Sequence, residues 1–161
     1  MKKLVWFSNL IFYCMYQLEI ASFKKNTPKE IEESLFKNPR TGSSLLGTSS
    51  HFGAFLLSAE SILLYFIQVL LQKNLIDFIF ANPPIYKILV SMFIMIIPSI
   101  IFEHYIIYKN KRYLKFFQQF DQMPRNKIRL YMILCLIVYI SLIILAIGSF
   151  TWFTNYAIFP K

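Results

Sequence analysis

The sequence predicts an all-α integral membrane protein: three transmembrane helices preceded by an N-terminal interfacial helix. Three observations predict this class. Of 161 residues, 57% are hydrophobic and only 16% are charged, whereas a water-soluble domain carries about 25% charged residues. The 17 Phe, 10 Tyr and 2 Trp are more than a body of this size can readily bury. Three stretches also reach the length of about 20 apolar residues that crosses hydrocarbon. The mean hydropathy of +0.51 is too high for a disordered chain. Two cysteines, Cys14 and Cys135, are too few for a disulfide scaffold. Four glycines and no repeating short-strand pattern argue against a membrane barrel.

The organisation follows in three parts: 1–23 as a hydrophobic interfacial helix, 24–51 as a cytoplasmic segment with a short helix, and 52–161 as the helical membrane domain. In the first part Phe7, Leu10, Ile11, Met15 and Leu18 share one helical face, with Asn9 opposite and Gln17 and Glu19 at the edges. That distribution suits a helix lying in the interface plane. A fourth crossing is the alternative, since one acid near a helix end is tolerable. A cleaved signal peptide is not expected, because the apolar region is interrupted and no small-residue cleavage site follows.

In the second part Thr27-Pro28-Lys29-Glu30 reads as an N-cap, a first-turn proline and a capping box. It opens a short helix to about Phe36, which Asn38-Pro39-Arg40-Thr41-Gly42 ends. Ser43–Ser50 reads as a small-residue linker. The three spans cover about 52–72, 85–108 and 130–150. The last contains no charged residue, so it lacks the polar stripe of a soluble helix. Pro98 is expected to bend the second. Leu75–Phe80 reads as a half-buried surface segment stopped by Asn82-Pro83-Pro84, and Trp152 and Tyr156 suit the headgroup level.

Basic residues set the expected orientation. With the N-terminus, 24–50 and 109–129 inside, 14 of the 17 basic residues are cytoplasmic. The C-terminus then lies outside. The expected location is a plasma membrane, or the inner membrane of a bacterium. The loop residues Lys109, Lys111, Arg112, Lys115, Arg125, Lys127 and Arg129 are expected to contact anionic lipid on the cytoplasmic face. A helix over 114–122 would turn Phe116, Phe117 and Phe120 toward the membrane. The loop carries no nucleic-acid motif, and no nucleic-acid partner is expected.

The chemistry-bearing candidates are few. Glu60 lies about 12 Å into its span at 1.5 Å per residue. A carboxylate at that depth must face protein, water or a proton, which makes it a proton- or cation-coupling candidate. Glu103 and His104 are its candidate companions, with a Glu60–His104 hydrogen bond as one arrangement and Glu103 reaching Lys109, Lys111 or Arg112 as the other. His51 has no acid nearby in sequence and reads as solvated. Ala54, Ser58 and Ser61 on one helix, and Ser141 and Gly148 on another, are helix-packing candidates. Two histidines and two cysteines in four separate places offer no metal set. No HExxH, GxSxG or Walker loop occurs. No catalytic residue and no cofactor are therefore expected. The expected role is an accessory, assembly or immunity-type subunit that binds another membrane protein or a second copy of itself. The alternative is a small transporter or channel subunit coupled through Glu60.

Overall fold

A computed structural model describes residues 2–26, 43–71 and 84–156. The expected helix at 27–36 and the surface segment at 75–80 lie outside them. Among the described residues only Gln122, Met123 and Pro124 are not helical, and there is no strand. The elements are α1 (Lys2–Asn26), α2 (Ser43–Leu71), α3 (Pro84–Glu103), a π-helical turn (His104–Tyr108), a 3-10 turn (Lys109–Lys111), α4 (Arg112–Asp121) and α5 (Arg125–Tyr156).

Among the described residues three helices are long and apolar enough to cross a membrane by length and composition: Lys2–Ser22 of α1, Leu45–Leu71 of α2 and Arg125–Trp152 of α5. The apolar side chains of the last two are largely exposed, Leu63, Phe66, Ile133, Ile144 and Ile147 among them. A patch of this extent on a protein in water would be a liability.

Several boundaries differ from the sequence reading. Ser43–Ser50 is not a linker but the first two turns of α2. Small residues are weak helix formers alone, but here they begin a helix whose remainder is strongly apolar. The stretch 85–108 is α-helical only to Glu103. It then widens into the π turn and tightens into the 3-10 turn. The helix ends because Asn110 (φ 57°) and Lys111 (φ 53°) are both left-handed, a region that asparagine tolerates and lysine seldom visits. Pro98 lies within α3.

The chain divides into two compact units: Met1–Ala54 with Phe102–Val138, and Phe55–Ile101 with Tyr139–Lys161. The core of the first is aromatic. Phe12 of α1 is fully buried. Its ring meets Phe52 at 5.6 Å, Tyr108 at 5.9 Å, Phe117 at 6.2 Å and Tyr113 at 6.5 Å. Tyr13 and Tyr16 extend the contact with Phe117, at 5.1 and 4.9 Å. Trp6 stands edge-on to Phe120 at 5.8 Å and to Tyr131 at 6.3 Å. Phe12 with Phe52 and Tyr108, Tyr13 with Phe117, and Trp6 with both its neighbours are edge-to-face, which places a positive ring edge on a negative ring face.

Phe117 and Phe120 share a side of α4, as expected, but α1 covers that side. Phe116 is half-buried and stacks on Phe120. The expected amphipathic division of α1 is absent. All residues from Ser8 to Tyr16 are buried, Asn9 completely.

Candidate functional site

The polar groups of the first unit gather where α3 ends. A helix terminus leaves its last carbonyls without intrahelical donors, and the break at Asn110–Lys111 strips those of Tyr105 and Ile106. Arg112, seven and six residues on, returns to them. Its Nη1 donates to Tyr105 O at 3.3 Å and to Ile106 O at 3.5 Å. Asn9 of α1 supplies the second donor: Nδ2 donates to Ile106 O at 3.2 Å and to Val5 O of its own helix at 2.7 Å. Asn9 was expected on a wetted face and instead caps a helix 97 residues away.

Nearby, Ser49 Oγ of α2 donates to Glu103 Oε1 at 2.5 Å, and the Tyr108 hydroxyl is also within hydrogen-bonding reach of that carboxyl. Glu103 therefore does not use Lys109, Lys111 or Arg112 as its partner. His104 is exposed on the π turn. The one-residue step along the helix turns it away from the buried side that Glu103 occupies. Tyr13 OH donates to Asp121 Oδ1 at 2.6 Å, tying α1 to the end of α4.

His51 is not without an acid. Its Nε2 lies 3.4 Å from Glu19 Oε2. The Glu19 carboxylate occupies the space beside Gly47 where a Cβ would sit, so only glycine fits there without moving it. Cys14 and Cys135 are both free and buried, and their thiols are hydrogen-bonding neighbours between α1 and α5. Sequence spacing carried no sign of either pairing.

Among the expected lipid contacts, Lys109, Lys111, Lys115, Arg125, Lys127 and Arg129 are exposed and Arg112 is half-buried. Lys109 Nζ sits 4.0 Å from the Tyr105 ring centroid and Lys127 Nζ 5.9 Å from that of Tyr131, both within cation–π range.

The second unit contains Glu60. Its Oε2 is buried and has no hydrogen-bond partner among the described residues. The Ser99 hydroxyl of α3 approaches it without reaching full hydrogen-bond geometry. Gln68, two turns further along α2, is fully buried with neither amide atom partnered among the described residues. Ser61 Oγ is engaged with Leu57 O of its own helix at 2.7 Å. Ala54 and Ser58 are half-buried, and Ser141 is exposed.

Gly148 does not bring two described helices into close contact, because a Cβ there would meet nothing within 4 Å. It lies instead in an apolar groove of about 580 Å³ between α2 and α5, with Tyr65 and Val69 on one wall and Leu145, Ser149 and Trp152 on the other.

No group of three or more His, Cys, Asp or Glu side chains able to hold a metal occurs among the described residues. The described residues are those of an all-helical protein, with three helices among them long and apolar enough to span a membrane. Comparison with known protein families, with curated proteins and with solved structures gives no match.

Proposed function

We propose that this chain is a small multi-pass membrane protein that acts as an accessory, assembly or immunity-type subunit, binding the transmembrane helix of another membrane protein. In this reading α2, α3 and α5 cross the bilayer, and α1 lies with α4 on the basic, cytoplasmic side. The contacts of α1 support that placement. From Trp6 to Glu19 it covers about 20 Å of helix length. Over that length its ring and polar contacts include the start of α2 (Gly47 to Phe52), the segment from Ile106 to Asp121, and the start of α5 (Tyr131 to Cys135). The positive-inside balance agrees, since Lys2 and Lys3 then stay with the basic loop.

The observation that carries the subunit role is the groove at Gly148. Apolar surface alone is no signal in lipid, but a bare glycine backbone beside Ser149 is the kind of surface against which a second helix packs closely. The test is Gly148→Leu, with affinity capture in mild detergent and crosslinking in cells. The substituted side chain enters open space, so the melting temperature should stay within about 2 °C of the parent. Partner capture should fall about tenfold, equivalent to about 1.4 kcal/mol. Capture that is unchanged, or a parent chain that is always recovered alone without crosslinked species, would remove this reading.

A second reading has its own observation, the buried and unpartnered Glu60 Oε2. An unpaired carboxyl at membrane depth costs several kcal/mol unless a proton or cation joins it, which is what a coupling group requires. Glu60→Gln keeps shape and removes the charge. If Glu60 couples transport, proton or cation flux into vesicles should drop at least tenfold while yield and thermal stability persist. Flux equal to the parent would leave Glu60 with a packing role only.

A further inference from the structure

We propose that the first unit holds one specific acidic phospholipid, with its headgroup phosphate among Lys2, Arg112 and Lys115. A cleft of about 580 Å³ opens between the start of α1, the π turn and α4. These three cations line it, and no carboxylate does. Three like charges at one mouth repel one another, and an anion seated there reverses that repulsion.

Arg112 is already positioned by the broken helix. Nη1 is used on the Tyr105 and Ile106 carbonyls, which leaves the N–H groups of Nε and Nη2 for a phosphate in the bidentate manner of a guanidinium. Lys2 and Lys115 are exposed and add charge on mobile stems.

The remaining wall selects the kind of anion. Leu4, Val5, Trp6, Ile106 and Phe116 line it, and Phe7, exposed, lies three residues beyond Leu4 on α1. A free inorganic anion gains nothing from such a wall, whereas an acyl chain does. A tryptophan beside a cluster of cations also suits the headgroup level of a bilayer. The size falls within the range of ordinary small-molecule sites.

The inference rests on the membrane placement proposed above, so the test separates the two. The full chain carrying Trp152→Phe keeps Trp6 as its sole tryptophan. It is reconstituted into phosphatidylcholine vesicles doped with phosphatidylglycerol or phosphatidylcholine brominated on the acyl chains, and Trp6 fluorescence is followed.

The brominated acidic lipid should quench at a much lower mole fraction than the zwitterionic one. In the Lys2→Gln/Lys115→Gln variant the acidic-lipid fraction giving half-maximal quenching should rise about tenfold. A Lys127→Gln/Arg129→Gln variant loses the same charge from residues that do not line the cleft, and should shift it less than twofold. Millimolar inorganic phosphate should not reverse the quenching.

Equal quenching by the two lipids, or equal shifts in the two double variants, overturns the specific site and leaves the membrane placement standing. Reversal by phosphate assigns the cleft to a soluble anion and likewise overturns it. A chain that fails to float with vesicles overturns both proposals.

Discussion

Phe12→Ala is expected to destabilise the protein by about 3–5 kcal/mol, the range for deleting a buried phenylalanine. For a chain of this length that corresponds to a fall of about 10 °C in melting temperature. The ring is fully buried. It contacts Phe52 of α2, Tyr108 of the π turn, and Tyr113 and Phe117 of α4. Removing it opens a cavity that these rings cannot close together, because they are held by three different elements.

The cost does not depend on water alone. Where lipid surrounds a core, transfer from water contributes less, but lost dispersion contacts and edge-to-face pairing remain. The low end of the range should therefore survive in detergent or bilayer. Phe12→Leu retains most of the volume and should cost under about 1.5 kcal/mol. Leu4→Ala, at a half-exposed position, should stay within about 0.5 kcal/mol. Thermal unfolding in one detergent checks all three. A Phe12→Ala protein as stable as the Leu4→Ala protein would mean that the aromatic cluster does not hold the first unit together.

The same cluster marks how far the sequence could be read. The long core of α5 was legible because 130–150 carries no charge at all. α4 was legible, shifted by one or two residues at its ends, because Phe116, Phe117 and Phe120 recur at helical spacing. The identity of what covers α4 was not. Periodicity within a helix says which side is apolar, and lipid and a neighbouring helix satisfy an apolar side equally well.

The role of Asn9 is hidden for the complementary reason. A polar residue opposite an apolar face looks wetted, and its partner, the carbonyl of Ile106, is a backbone group that no side-chain pattern announces. The pairings of His51 with Glu19, Ser49 with Glu103, and Cys14 with Cys135 join residues from different helices. They require the tertiary arrangement before they can be seen. The break at Asn110–Lys111 had no glycine to signal it. Glu60 was legible as a residue needing a partner, because depth within an apolar run is a local property. What approaches it, Ser99 from α3, is not local.

That break makes Asn9 and Arg112 the pair whose substitution is most diagnostic. Both donate to Ile106 O, at 3.2 and 3.5 Å, and Asn9 is completely buried. Asn9→Leu removes one donor and should cost about 1–3 kcal/mol. Arg112→Gln removes the other and also uncovers Tyr105 O, with a cost of similar size. With either donor remaining, the Ile106 carbonyl keeps a partner. With neither, a buried acceptor is orphaned. The double variant should therefore lose about 0.5–1 kcal/mol more than the two single losses added together.

Asn9→Asp separates hydrogen bonding from shape. Aspartate matches asparagine in size, so a purely steric role predicts almost no effect. An ionised carboxylate has no hydrogen to donate and would place negative charge against the Val5 and Ile106 oxygens. Asn9→Asp should then be at least as destabilising as Asn9→Leu near neutral pH. Acid conditions that protonate the introduced carboxyl should recover part of the loss, since the neutral acid regains one donor. Thermal unfolding of the four variants across pH decides the matter. An aspartate variant matching the parent at neutral pH, together with additive losses in the double variant, would show that the end of α3 holds without either cap.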